Sequence, residues 1–168
     1  MSQVAEGALH EVSEILQRMR ELAVSASSDT ASSADRSALN TEITALETEI
    51  DRIGSTTTWG GINLLDGTYS QGAPITFQIG TEPGDTMSFS LGVLKASTTA
   101  EVQGGLGLTS DITTRTNASA YISSIDSAIS IVSSRRGHFG AVSNRLDSSI
   151  ANISNMKANI EAAKGQIV

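Results

Sequence analysis

Apolar residues at the start of the chain recur with the period of a helix. Their spacings alternate between four and three residues, which is the heptad pattern of a helix that buries one stripe. The stripe comprises Ala5, Leu9, Val12, Leu16, Met19, Ala23 and Ala26, with Ala8, Ile15 and Leu22 widening it on one side. This spacing predicts a helix over about residues 3–27.

A second apolar stripe follows after a polar break. Residues 27–33 are mostly turn formers, and the helical spacing then resumes at Leu39, Ile43, Leu46, Ile50 and Ile53. Ser33 or Asp35 is expected to cap the start of this second helix. Gly54 stands where a left-handed C-cap is expected, so the pattern predicts that the helix ends there.

The helical period is absent between residues 55 and 116, where glycines are frequent. Residues 75–79 and 87–91 alternate apolar and polar side chains, which is typical of strands. They predict a hairpin whose loop contains residues 82–85. Residues 95–116 are expected to be mostly irregular, with the glycine-rich stretch 104–107 as a flexible connector.

The last third of the chain keeps the 3-4 spacing for six heptads, which indicates coiled-coil-like packing. Gly137 and Gly140 lie within this segment, but the apolar 3-4 spacing continues past them in the same phase. They could mark a turn, or they could be tolerated within one helix at about 1 kcal/mol each. Because a turn would have no reason to preserve the phase, we favour a continuous helix over about residues 117–167.

A helix of that length fixes the shape of the molecule. It would be roughly 76 Å long, whereas a compact domain of this size has a radius of gyration of about 15 Å and a diameter of about 40 Å. The sequence therefore predicts a rod. The first two helices match the long helix only when placed end to end, so we expect it to run beside both.

Composition excludes several functions. The net charge is −7 with three lysines, whereas nucleic-acid binding requires clustered Lys and Arg. The chain has no run of 18 apolar residues, which a membrane-spanning helix would require. Because the chain has no cysteine, disulfides, thiol nucleophiles and Cys-ligated metals are excluded. We therefore expect neither a nucleic-acid nor a membrane partner.

One short segment resembles a metal-binding motif. His10 and Glu11 begin an H-E-x-x-H-like sequence, but Glu14 stands where the second histidine belongs. A solvated helix face is the better interpretation, with Glu14 pairing with Arg18 one turn later. We predict no catalytic residue, metal site or cofactor, and a metallopeptidase built on His10 and Glu11 remains the rival from another functional class.

Several segments, in order, are similar to motifs of bacterial flagellins. They are L-Q-R-M-R-E-L-A-V at 16–24, E-I followed by E-I-D-R-I within 42–53, W-G-G-I-N-L-L-D-G at 59–67, F-Q-I-G at 77–80, I-D-S-A-I at 125–129 and G-A-V-S-N-R-L at 140–146. The chain thus resembles the flagellin family over nearly its whole length except residues 92–116.

The resemblance implies a mainly α fold with a small β region. The expected architecture is an elongated rod of two N-terminal helices (residues 1–54), a β-hairpin and connector (55–116) and one long C-terminal helix in coiled-coil-like packing (117–168). Flagellins have further terminal helical segments, so the chain is expected to be the middle of a longer protein. The implied role is a self-assembling structural subunit of the extracellular flagellar filament, which supports motility, and not an enzyme.

The resemblance also implies partners. Besides other flagellin subunits, these are Toll-like receptor 5 and a flagellar export chaperone. Carried over residue by residue, the receptor contacts would be Gln17, Arg18, Glu21 and Leu22 on the first helix and Glu42 on the second. A hook–filament junction protein, which shares the N-terminal helical signatures, is the nearest alternative.

Overall fold

The computed structural model describes residues 1–68, 74–80, 82–96, 105–108 and 111–167. The helices are α1 (Ser2–Ser27), α2 (Ser33–Thr56) and α3 (Arg115–Ile167), and the strands are β1 (Thr58–Trp59), β2 (Ile62–Asn63), β3 (Ile75–Gln78) and β4 (Thr86–Phe89). The predicted order of two helices, a small β region and one long helix is confirmed.

The turn between α1 and α2 is closed by a reciprocal pair of side chains. The Ser32 hydroxyl accepts a hydrogen bond from the Asp35 backbone N–H, while the Asp35 carboxylate accepts from the Ser32 N–H. The hydroxyl of Ser32 also donates to that carboxylate, and these bonds lower the pKa of Asp35. The predicted N-cap, Ser33 or Asp35, is therefore wrong. Ser32 is the N-cap, and Asp35 is its partner in the capping box.

The second helix folds back beside the first. The Arg36 guanidinium donates to the carbonyl oxygens of Ala26 and Ser28, both at 2.8 Å, so the start of α2 lies against the end of α1. The expectation that α1 and α2 lie end to end is wrong. Only five residues connect them, and short connections between helices favour antiparallel neighbours.

Gly54 has a different role from the one predicted. Helix α2 continues to Thr56, and Gly54 lies buried inside it rather than in a left-handed cap. A Cβ atom at this position would clash with the backbone carbonyl of Leu94. The glycine is therefore required because the segment that follows β4 crosses the helix at this point.

The predicted hairpin is present. Strands β3 and β4 are antiparallel, with Ile75 opposite Phe89 and Phe77 opposite Met87. The rings of Phe77 and Phe89 stack with centroids 5.7 Å apart, and Phe89 meets the edge of Phe139 on α3 at 6.3 Å. This aromatic row fixes the hairpin to the long helix.

Two features of the middle segment were not anticipated. Strands β1 and β2 form a second, very short hairpin around Gly60 and Gly61, both of which have positive φ. In addition, the glycine-rich stretch expected to be a flexible connector includes Leu106, which is buried, as is Leu108 beyond it. Their backbone N–H groups donate to the carbonyls of Lys95 and Ala96, so the described residues 105–108 are held against the core.

Helix α3 is continuous through Gly137 and Gly140, as predicted. It runs antiparallel to α1, because Arg20 contacts Asp126 and Asp29 contacts Arg115. The apolar stripe that starts at Ile125 is buried as far as Val142 apart from the partly buried Arg135, Ala118 and Tyr121 extend the buried face toward the start of the helix, and Leu146 is partly buried. Beyond it, stripe residues are exposed, among them Ile153 at 42% and Ile160 at 67%.

The change in burial has a geometric cause. At the antiparallel register, the first turn of α1 lies level with about residue 142 of α3. The predicted coiled-coil-like packing therefore holds for the first half of the stripe, and the second half has no facing helix among the described residues. Among those residues, no helix combines the length and apolar character needed to cross a membrane.

Candidate functional site

An ordered polar surface joins α1 to α2 around Arg18. The Nε and Nη2 atoms of Arg18 donate to Glu42 Oε1 at 3.0 and 2.8 Å, and Nη1 donates to Glu21 Oε2 at 3.2 Å. We call these three side chains the Arg18 cluster. Glu21 lies one turn along α1, whereas Glu42 reaches across from α2. Three donated bonds hold the guanidinium in a defined orientation.

The cluster is exposed to solvent. The side chains of Arg18 and Glu42 are 52% and 43% exposed, and that of Glu21 is 70% exposed. The hydrogen bond to Glu42, followed by that to Glu21, raises the pKa of Arg18. Because exposed ion pairs contribute little to stability, this arrangement matters chiefly as an oriented surface.

The two remaining predicted contact residues lie in different environments. Gln17 is exposed beside Arg18. Leu22 is only 4% exposed and belongs to the core, as the apolar periodicity of α1 suggested. The structure therefore brings Gln17, Arg18, Glu21 and Glu42 together at the surface and places the Leu22 side chain beneath it.

A second ion pair, which was not predicted from the sequence, joins α1 to α3 instead of α2. Arg20 Nε donates to Asp126 Oδ1 on α3 at 2.8 Å, and this bond raises the pKa of Arg20. The alternating arginines of the L-Q-R-M-R-E motif thus reach both neighbouring helices. Arg18 and Arg20 flank Met19 of the apolar stripe, so the sequence could have predicted that the two arginines lie on opposite sides of the buried face.

A buried polar contact between α2 and α3 was also missed. Tyr121 is completely buried, and its hydroxyl donates to Glu47. Burial raises the pKa of Glu47, the bond from Tyr121 opposes this shift, and the nearby Asp51 adds to it. Extending the α3 stripe four residues before Ile125 would have placed Tyr121 on the buried face.

The rival metal site has little support in the geometry. His10 Nε2 lies 3.7 Å from Glu14 Oε1, and both side chains are exposed. No group of three His, Cys, Asp or Glu side chains suited to a metal occurs within the described ranges. The predicted pair of Glu14 with Arg18 is wrong, since Glu14 lies beside His10 and Arg18 binds Glu21 and Glu42.

Comparison with known families assigns both helical parts of the rod. The family described as bacterial flagellin N-terminal helical region matches residues 1–70, and the bacterial flagellin C-terminal helical region matches residues 122–168. The chain belongs to the bacterial flagellin family. In this flagellin-family chain, the two matched regions meet along the α1–α3 seam.

Relatives of known name agree with this assignment. Flagellin from Halalkalibacterium halodurans is 40% identical over 165 residues, which are 98% of this chain and 58% of the relative. Polar flagellin A from Vibrio parahaemolyticus is 44% identical over 100 residues, which are 60% of this chain and 26% of the relative. The chain thus spans less than two thirds of the length of these relatives.

Solved structures share the fold. Bacillus cereus flagellin has a TM-score of 0.75 at 30% identity, covering 94% of this chain and 89% of that one. A protein described as a putative flagellar hook-associated protein from Vibrio parahaemolyticus has a TM-score of 0.74 at 19% identity, covering 98% and 84%; at that identity it supports the fold alone. Flagellins are structural proteins, so membership of this family confirms the prediction that the chain is not an enzyme.

Proposed function

We propose that this chain is the rod-shaped core of a flagellin subunit that assembles with copies of itself into the extracellular flagellar filament. The observation that carries the proposal is the seam between α1 and α3, in which the N- and C-terminal flagellin regions form one packed unit. A long rod suits lateral assembly because its sides offer extended area to neighbouring subunits.

Immunogold electron microscopy of flagellated cells that carry this gene tests the proposal. An antibody raised against the chain should label filaments along their whole length, because a filament subunit repeats throughout. Label confined to the filament base would instead favour the hook–filament junction alternative. Cells in which the gene is deleted provide the control for antibody specificity.

We also propose that the Arg18 cluster, with Gln17, is a surface recognised by Toll-like receptor 5. Its support is the resemblance of residues 16–24 and 42–43 to flagellin motifs, together with the exposure and fixed orientation of Arg18. An arginine held in this way can anchor an interface, because its planar donors need no further ordering when a partner arrives. Leu22 would support this surface from the core.

Binding of the purified chain to the receptor ectodomain tests this second proposal. Replacing Arg18 with alanine should weaken binding by more than about 1 kcal/mol, and Glu42→Ala should weaken it as well. Arg52→Ala is the matched control, since Arg52 is an exposed arginine on α2 that pairs only locally with Glu49 in the observed contacts. Equal binding by Arg18→Ala and the unmodified chain would reject the assignment of this surface.

Two other variants need separate interpretation. Leu22→Ala is also expected to weaken binding, but it removes a core side chain and should lower stability. Arg135→Ala should affect the receptor less than Arg18→Ala, although it removes a 2.6 Å bond from Nη1 to the carbonyl of Val93. Melting temperatures measured beside affinities will separate lost contacts from lost structure.

A further inference from the structure

The first half of α2 has unusually little apolar packing for a helix that carries part of a polar surface. In all of α2, only Ile43, Ile50 and Gly54 are buried, whereas α1 buries eight residues over a similar length. Of the three, Ile43 alone lies before the last two turns. Leu39 and Leu46 also pack against the core, but both stay partly exposed. Apolar contacts therefore constrain the position of this half of α2 weakly.

Polar bonds supply the missing constraint, and Arg36 makes the most specific of them. Its Nε and Nη2 atoms each donate at 2.8 Å to a different carbonyl, that of Ala26 in the last turn of α1 and that of Ser28 just beyond it. The side chain is partly buried, so these bonds are shielded better than those of the exposed pairs. A planar guanidinium that binds two carbonyls fixes both distance and direction.

This bond pair lies close to the Arg18 cluster along both helices. Arg36 precedes Glu42 by six residues on α2, and Ala26 follows Arg18 by eight on α1, which correspond to about 9 and 12 Å. A slip of α2 by one residue would move Glu42 by about 1.5 Å and rotate it by about 100°. Either change would break the bonds from Nε and Nη2 of Arg18 to a single oxygen of Glu42.

We infer that Arg36 is a positioning residue, which fixes the register of α2 against α1 and thereby holds Glu42 in reach of Arg18. It need not touch any partner of that surface. Its relevance to receptor binding rests on the proposed function, whereas its effect on the Arg18–Glu42 contact is a property of the chain alone. The two can therefore be tested separately.

NMR of the free chain tests the positioning role directly. The Nε–H signal of Arg18 is identified by its loss in Arg18→Lys, and Glu42→Ala provides the signal position of an arginine freed from Glu42. Arg36→Ala should move the Arg18 signal at least halfway toward that position while circular dichroism shows unchanged helix content. Arg52→Ala, which removes an exposed arginine from the same helix, should leave the signal in place.

An Arg18 signal that stays at its original position in Arg36→Ala would overturn the inference. If Arg36→Ala does not fold, Arg36→Lys decides, because a lysine retains the charge but cannot direct two bonds as a guanidinium does. The inference expects an intermediate shift in that variant, and an unshifted signal rejects it. A merely structural role would lower the melting temperature without moving this signal.

Receptor binding gives the second readout. Arg36→Ala should weaken binding by about threefold or more in the original chain and have no further effect in a Glu42→Ala background, since coupled residues are not additive. An equal loss in both backgrounds contradicts positioning through Glu42. Failure of the unmodified chain to bind would reject the proposed receptor function, while the NMR result would still decide the role of Arg36.

Discussion

At the residue scale, this chain uses polar side chains to join helices whose apolar contacts are uneven. Arg18 and Arg36 link α1 to α2, Arg20 links α1 to α3, and Tyr121 links α3 to α2 through Glu47. The contacts of Arg18 and Arg20 are exposed and contribute more to orientation than to stability, whereas those of Arg36 are partly buried. The Tyr121–Glu47 contact differs because the tyrosine is buried.

Glu47→Gln should make the chain more stable at neutral pH. Burial raises the pKa of Glu47, so its ionised form is less favourable in the folded than in the unfolded chain. Its charge therefore costs nothing below the usual glutamate pKa of about 4.3 and reduces stability as pH rises through the raised value. Glutamine retains an acceptor for Tyr121 without that charge.

Thermal melting of both proteins between pH 4 and 8 checks this expectation. The variant should melt about 1–2 °C higher at pH 7, a small gain because the carboxyl is only partly buried. The difference should shrink toward pH 4. Carboxylates with lowered pKa, such as Asp35 and Asp111, make stability rise with pH to the same extent in both proteins. The informative quantity is therefore the difference in melting temperature between the variant and the unmodified chain.

At the element scale, periodic apolar spacing was sufficient to predict all three helices and the β3–β4 hairpin. It could not predict that α2 folds back on α1, because an amphipathic stripe does not specify which neighbour covers it. The β1–β2 hairpin was missed although Gly60-Gly61 between two short segments is a known turn signal. Resemblance supplied Arg18 and Glu42, while their pairing depended on the register of two helices.

Glycines within helices give a matched test of local packing. Replacing Gly137 or Gly140 with alanine should stabilise α3 by about 0.5–1 kcal/mol each, since both sites are helical and a Cβ there meets no atom within 4 Å. Gly54→Ala should instead destabilise the chain, because its Cβ would meet the Leu94 carbonyl. Urea denaturation of the three variants measures these opposite changes, and a stabilised Gly54→Ala would contradict the close approach described.

The two halves of α3 should differ in local stability. Stripe residues from Ala118 to Val142 pack in the core, whereas Ile153 and Met156 are 42% and 44% exposed. Most helical stability in proteins comes from tertiary packing of an apolar face, and the second half of α3 has little of it. Hydrogen exchange followed by mass spectrometry should show slow exchange over residues 120–142 and fast exchange over 150–165. Equal protection of both segments would mean that another surface covers the second half.

At the scale of the whole molecule, the length of α3 decides the shape. A 53-residue helix extends for about 80 Å, which is roughly twice the diameter of a compact domain of 168 residues. Helix α1 lies against its first half, and α2 lies beside α1 and reaches α3 through the Tyr121–Glu47 contact, so the two do not cover the full length of α3. The mass is therefore concentrated toward one end of a rod.

Small-angle X-ray scattering of the monomeric chain should reveal this asymmetry. The radius of gyration should clearly exceed the roughly 15 Å of a compact domain, and the distance distribution should have a tail toward about 80 Å, the length of α3. Fraying of the exposed half of α3 would shorten that tail but leave the packed part of the rod elongated. A symmetric distribution ending near 40 Å would require α3 to fold back on itself, and Gly137 and Gly140 would then mark a turn after all.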